Sequence, residues 1–364
     1  MLCLPVIVAL SLLPQKPLVS PEVNADHSVT FRFLAPNAKA VAVGIEGRQL
    51  ARMTKDAQGV WSVTTEPLAP DYYGYTFMVD FATALDPANP LTKPNLIWPS
   101  NLLKVPGNPP QVWEEQPVPH GVVHHHRFES KVTGGPSDFY VYTPPSYSPT
   151  GKKKFPVLCL LHGFSDMASG WTTVGQAHVI LDNLIASGEA KPMVVIMPLG
   201  YGVPNFATPG GRNFDDDTLR RQNYDRFAQS LLTEVLPQAE RAYTISNKRD
   251  DRAIAGLSMG GAESLLVGLN HLDTFSYVGA FSSGGFGGDF LDQFPKLSAS
   301  DNQRIKRLWI ACGTGDGLIT PNRELVKWLQ GKSLKVDAVE TPGIHCWMVW
   351  RRNLAAFSKL LFKS

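Results

Sequence analysis

The stretch Ala253-Ile-Ala-Gly256-Leu-Ser258-Met259-Gly260-Gly261 decides how the rest of the chain is read. Its first half is apolar and short, as a buried strand is, and it runs through a serine into a glycine-flanked helix start. A G-x-S-x-G pattern at such a junction puts the serine on a sharp turn, where only small residues two before and two after avoid collision. The turn would lift the hydroxyl above the sheet edge, with the N–H groups of the next helix aimed at any oxyanion formed there. Ala262, Leu265, Leu266 and Leu269 have the spacing of a buried helical face behind it.

A hydroxyl needs a base, and the base an acid to orient it, in the chain order Ser, Asp/Glu, His. Both follow. Leu308-Trp-Ile-Ala-Cys312 reads as a short strand ending in Gly313-Thr-Gly-Asp316, and residues 334–340 read as another ending in Thr341-Pro-Gly-Ile-His345. Both loops lie beyond a strand's carboxyl end, where open α/β sheets build their sites. An amphipathic helix with Trp347, Trp350, Leu354, Phe357 and Leu361 on one face closes the chain. Phe155-Pro-Val-Leu-Cys-Leu-Leu161 is an earlier strand, and the loop His162-Gly163-Phe164 after it offers an N–H to pair with that of Met259 as an oxyanion hole. His162 is read as structural, hydrogen-bonded within its loop. The long Gly/Pro-rich, aromatic run 199–214, with Tyr201 and Phe206, and Ser282-Ser-Gly-Gly-Phe286 are expected to shape a substrate pocket together with Trp171.

These segments resemble a known group. Leu161-His-Gly163 with Trp171 downstream, the 183–198 run, Ala253 to Gly261 and Cys312-Gly-Thr-Gly-Asp316 are similar to the esterase D group and its carbohydrate esterase family 1 branch, which includes feruloyl and acetylxylan esterases. The resemblance implies Ser258 as nucleophile, His345 as base, Asp316 as its orienter, and the amides of Phe164 and Met259 as oxyanion donors. It implies an α/β hydrolase fold, a doubly wound and mostly parallel sheet, needing no cofactor or metal. The implied substrate is an ester-bearing oligosaccharide or polysaccharide, with a hydroxycinnamoyl (feruloyl) ester first. The alternatives are an acetylxylan or general carboxylesterase, a siderophore trilactone esterase, acyl transfer to a sugar, and a non-catalytic carbohydrate-binding protein.

Ahead of this domain the pattern changes. Residues 28–34, 40–45, 60–64 and 72–79 alternate apolar and polar between turn signals, the mark of a small all-β sandwich over residues 22–105. Gly59-Val-Trp61, Tyr72-Tyr-Gly-Tyr-Thr-Phe77 and Leu85-Asp-Pro-Ala-Asn-Pro90 resemble the immunoglobulin-like module related to carbohydrate-binding module family 48. Trp61, Tyr72, Tyr73 and Trp98 are its candidate sugar-stacking residues. Residues 106–120, beginning Pro106-Gly-Asn-Pro-Pro110, read as a linker to a catalytic domain over 121–364.

With 364 residues, a net charge of +2 and no basic block beyond Lys152-Lys-Lys154, the chain reads as two domains without a nucleic-acid or membrane partner. Residues 2–13 are apolar and too short to span a bilayer, so residues 1–20 are expected to be an export signal and the protein secreted or periplasmic. The four cysteines form no disulfide or zinc pattern, although Cys312 and Cys346 each neighbour a triad residue. Consecutive strand residues face opposite sides, so His124-His125-His126 is not expected to hold a metal. Asp215-Asp-Asp217 is expected to be a solvated helix start.

Overall fold

A computed structural model describes residues 17–211, 213–286 and 288–363. Most of the expected export signal, with Cys3, lies outside the described residues. The chain forms two compact units. The first runs up to Ala69 and resumes over Tyr75–Leu91, and the second comprises Pro70–Gly74 and everything from Thr92.

The first unit is all-β. In one sheet Val29–Leu34 lies between Glu22–Val23 and Val60–Thr64, with Thr54–Lys55 beyond. In the other, Val41–Ile45 pairs with Ala51–Arg52 and with Asp71–Val79, on which Ala82–Ala84 folds back. Alternate residues of each strand point inward, so Phe31 of one sheet packs edge-on against Tyr75 and Phe77 of the other. The Leu85 to Pro90 stretch has a physical reason: Tyr75 donates its buried hydroxyl to Asp86 at 2.8 Å and accepts from Asn89 at 2.9 Å.

The division does not fall at the expected linker. Tyr72, Leu102 and Trp113 are buried in the core of the second unit. The Glu114 carboxylate caps the turn before it, accepting from the amides of Gly107 and Gln111 at 3.0 and 2.8 Å, and Asn183 donates to the carbonyls of Val112 and Glu114. Residues 106–120 are therefore packed chain, held by side chains that composition alone gave no reason to single out.

The second unit is built on eight strands: β1 Val122–Ser130, β2 Gly135–Thr143, β3 Val157–Leu161, β4 Val194–Pro198, β5 Arg252–Leu257, β6 Tyr277–Phe281, β7 Arg307–Gly313 and β8 Asp337–Thr341. Their order is β1-β2-β4-β3-β5-β6-β7-β8, antiparallel across β1, β2 and β4 and parallel from there on. This is the expected doubly wound sheet with an antiparallel edge. Both faces are covered, so the central strands are apolar but for Arg252 at the start of β5. On β3, Leu158 and Leu160 enter one core, while Val157, Cys159 and Leu161 enter the other. Helices α1 Ala177–Ala186 and α5 Trp347–Ser358 pack on the first face, while α2 Asp217–Ser230, the inner side of α3 Met259–Asn270, and α4 Ile319–Gly331 pack on the second.

The acidic run behaves as expected: Asp216 caps α2, accepting from the amides of Thr218 and Leu219. Helix α2 starts at Asp217 and continues through one π-type turn into Leu236–Ala242. The three histidines of β1 each find a separate partner, Thr143, Asp138 and Tyr243. Among the described residues no group of His, Cys, Asp or Glu is arranged to hold a metal, and no helix is long and apolar enough to cross a membrane. Cys159, Cys312 and Cys346 are buried thiols.

Candidate active site

Ser258 stands between β5 and α3 at φ 51°, ψ −115°, a left-handed conformation that costs a non-glycine residue about 1–3 kcal/mol. The neighbouring glycines make it possible. A Cβ on Gly256 would lie 2.4 Å from the Gly260 carbonyl oxygen, and one on Gly260 would lie 2.3 Å from that of His162. Backbone atoms cannot yield to such contacts, so the motif is a steric requirement of this turn. The serine amide is tied to the Phe281 carbonyl of β6 at 2.8 Å, fixing the turn to the sheet.

The two later loops are brought to it by each other. The amides of Thr314 and Gly315 donate to the carbonyls of Thr341 and Gly343, and Gly313 has no room for a side chain, its Cβ position lying 2.6 Å from the Gly343 oxygen. This seam aligns Asp316 with His345. Nδ1 of His345 lies 2.8 Å from Oδ2 of Asp316 and 3.1 Å from Oδ1, while Nε2 lies 3.0 Å from Oγ of Ser258. The carboxylate accepts from Nδ1–H, which leaves Nε2 as an acceptor for the serine hydroxyl. The imidazole also stands edge-on to Trp350 of α5, with ring centres 4.9 Å apart.

Asp316 is buried. Burial alone would push its carboxyl up, but the bond and charge of His345 and the Leu318 amide at 2.8 Å outweigh it and hold it below the usual carboxylate range. It therefore stands as the ionised member of the constellation.

The loop after β3 crosses directly over the elbow, since a Cβ on Gly163 would lie 3.3 Å from Cβ of Ser258. Met259 is the first residue of α3, so its amide has no carbonyl within the helix to bond. The side chain of Phe164 packs into one aromatic cluster with Met259, Phe206 and Phe214.

His162 is structural in the sense expected. Its Nδ1–H donates to the Gly163 carbonyl at 2.8 Å, its Nε2 accepts from the Gly200 amide at 2.8 Å, and burial holds the ring down to about 4, against the opposing pull of the Gly163 carbonyl. It thus joins the ends of β3 and β4. Beside it, the Glu263 carboxyl on α3 is fully buried, and burial pushes it well above the carboxylate range, into its neutral form.

The four residues expected to line a pocket divide. Phe286, half-buried, and Tyr201, also partly buried, stand in the aromatic cluster around Met259. Phe206 belongs there too but is itself buried. Trp171 lines nothing: it is fully buried, donates Nε1–H to the Leu161 carbonyl at 2.8 Å and packs edge-on against Trp347. Its sequence position beyond the His-Gly pair suggested a pocket wall, whereas its size and indole N–H make it a strut beneath the loop.

Arg220 is a residue that the sequence reading passed over. Its Nε donates to the Gly285 carbonyl at 2.7 Å and its Nη1 to the Phe214 carbonyl at 2.5 Å, with the guanidinium over the Phe214 ring. It clasps Phe214 to Gly285. Nothing in the polar run Asp217-Thr-Leu-Arg-Arg221 distinguishes it from its neighbours.

The sheet order, the strained serine and the positions of its two partners define an α/β-hydrolase-like protein. Residues 130–361 match the Esterase family, and the chain belongs to that family. The endo-1,4-beta-xylanase/feruloyl esterase of Xylanibacter ruminicola is 30% identical over 351 residues, 94% of this chain and 46% of that protein, so the chain spans about half the length of this relative. The carbohydrate esterase family 1 ferulic acid esterase of Anaeromyces mucronatus, solved in complex with ferulic acid, is 25% identical with a TM-score of 0.58, covering 68% of this chain and 93% of its own. The enterobactin esterase of Shigella flexneri shares the fold over 92% of this chain and 94% of its own, at 20% identity and a TM-score of 0.67.

Proposed function

We propose that this protein is a serine esterase that releases hydroxycinnamate, feruloyl groups first, from carbohydrate. Ser258 Oγ attacks the ester carbonyl while Nε2 of His345 takes its proton, and the amides of Phe164 and Met259 receive the oxyanion. The intermediate collapses, the alcohol leaves with the proton carried by His345, and the acyl group stays on Ser258. Water then attacks this ester with His345 again as base, freeing the acid and restoring the serine. Asp316 keeps Nδ1 protonated and the ring turned toward Ser258 throughout.

The observation that carries the acyl assignment is the cluster of Phe164, Tyr201, Phe206, Phe214 and Phe286 around Met259, the residue next to the nucleophile. Partly exposed aromatic side chains beside the nucleophile, Phe164, Tyr201, Phe214 and Phe286, suit a flat aromatic acid better than acetate. The feruloyl esterase relatives support the same choice. The all-β N-terminal region is read as the immunoglobulin-like module similar to carbohydrate-binding module family 48.

The test compares ferulate release from methyl ferulate and feruloylated arabinoxylan with acetate release from p-nitrophenyl acetate. A kcat/KM at least tenfold higher for the feruloyl esters is expected. Preference for acetate would reduce the assignment to an acetyl or general esterase.

A further inference from the structure

We propose that Trp98 is a stacking platform for the sugar that carries the ester, on the rim of the site around Ser258. Of the four aromatic residues that the sequence offered for sugar stacking, Trp61, Tyr72 and Tyr73 are buried. Trp61 donates its indole N–H to the Ala35 carbonyl, and the face of Tyr72 lies under the Arg351 guanidinium. Trp98 alone of the four presents its ring to solvent, with 66% of its surface exposed.

A single exposed tryptophan is ordinary on a protein surface. The way its backbone is fastened is not. The Asn95 side-chain oxygen accepts from the amides of Ile97 and Trp98 at 3.0 and 2.8 Å, which fixes the turn carrying the indole. The same side chain donates Nδ2–H to Oδ1 of Asp166 at 3.0 Å, and the Leu96 amide donates to the Ser165 carbonyl at 2.8 Å.

Ser165 and Asp166 directly follow the candidate oxyanion residue Phe164, and they are themselves buried and held. Ser165 sits at φ 67°, the Asp166 amide donates to the Gly163 carbonyl, and the Asp166 carbonyl accepts from the Tyr201 hydroxyl at 2.8 Å. The indole is thus two residues, at most about 7 Å of backbone, beyond an anchor on the loop that crosses Ser258. An exposed aromatic on an ordered turn keeps a flat apolar face with an N–H at its edge, at little entropic cost to a ligand. The aromatic cluster around Met259 accounts for the acyl half of the substrate. Trp98 supplies a face for the other half.

The inference rests on the reading that the alcohol is a carbohydrate, and its test separates the two. Titration calorimetry with unesterified xylo-oligosaccharide on Ser258→Ala protein involves no ester. Affinity is expected to fall about three- to tenfold, the scale of one aromatic stacking contact, when Trp98→Ala is added, and to return with Trp98→Tyr. In otherwise wild-type enzyme, the ratio of kcat/KM for a feruloylated oligosaccharide to that for methyl ferulate should fall by the same factor in Trp98→Ala. Sugar binding that survives Trp98→Ala overturns the platform and leaves the carbohydrate reading standing, whereas no sugar binding by Ser258→Ala protein overturns both and leaves the acyl assignment standing. Loss of sugar binding in an enzyme that prefers acetate overturns the acyl assignment and leaves the platform standing.

Discussion

Asp71 and Arg351 are 280 residues apart in the chain and form an ion pair in which both side chains are fully buried. Oδ1 of Asp71 accepts from Nη2 of Arg351 at 2.6 Å and from Nε at 3.2 Å, while Oδ2 accepts from Arg352 at 2.7 Å. Arg351 also donates to the carbonyls of Val174 and Tyr72. It stands on α5, beside the Trp350 whose ring meets His345. Residues Pro70–Gly74, which belong to the second unit, are therefore locked to the helix that follows the candidate base.

Removing one partner of a buried pair strands the other charge, at a cost of about 3–5 kcal/mol. Asp71→Ala is expected to lose stability on that scale in denaturant unfolding of the full chain. Asp71→Leu combined with Arg351→Met should lose less than the two single changes added together. An unchanged midpoint in Asp71→Ala would show that the pair contributes nothing.

Gly163 should not tolerate a methyl group. The Cβ of Gly163→Ala would fall 2.6 Å from Cδ1 of the buried Leu257 and 3.3 Å from Cβ of Ser258, so either Leu257 repacks or the loop moves off the elbow and takes the Phe164 amide with it, and kcat reads the second case. Loss of one oxyanion donor costs about 10²–10³ in kcat. The expected result is a kcat lower by that factor with KM little changed. A fall in KM-dependent rate alone would place the donor elsewhere.

His162 and Glu263 make opposite predictions for stability against pH. His162 titrates near 4 when folded and near its ordinary 6.5 when unfolded. The unfolded chain alone gains that proton between these values, so stability is full above pH 6.5 and is lost, by on the order of 3 kcal/mol, as pH falls to 4. His162→Asn should flatten this slope in melting temperatures from pH 7 to 4.5. Glu263 is raised when folded, so above its ordinary 4.5 the unfolded chain gives up a proton that the folded one keeps, and stability falls as pH rises. Glu263→Gln should therefore gain melting temperature relative to wild type at pH 8 and not at pH 4. Parallel curves for wild type and either variant would contradict the assignment of that group.

Asp316→Asn keeps the shape of the side chain and lets His345 adopt the wrong tautomer. The expected loss in turnover is on the order of 10⁴, the scale of the same change in the serine protease triad. Ester hydrolysis rates within tenfold of wild type would remove Asp316 from the mechanism.

The catalytic half of the fold was legible because its signals are local. Buried parallel strands announce themselves as apolar runs, and the Gly256-x-Ser258-x-Gly260 spacing follows from contacts between residues close in sequence. The chain order of Asp316 and His345 then needed only a strand before each. What the sequence reading missed depends on distant pairings. Nothing beside Asp71, between Pro70 and Tyr72, hints at a guanidinium 280 residues away. Trp171 and Trp98 are the same residue type near similar loops, and only burial separates a strut from an exposed face. Glu263, on the buried side of a helix behind an aromatic cluster, breaks the rule that charges stay outside, and periodicity could have flagged it.

The central claim is that Ser258 carries the acyl group. Wild type and Ser258→Ala, compared on methyl ferulate at saturating substrate, test it directly. Turnover should fall by at least a thousandfold in the variant with its melting temperature preserved, and a quenched wild-type reaction should carry the feruloyl mass on the peptide containing Ser258. Ferulate release by Ser258→Ala at a rate near that of wild type would contradict the account.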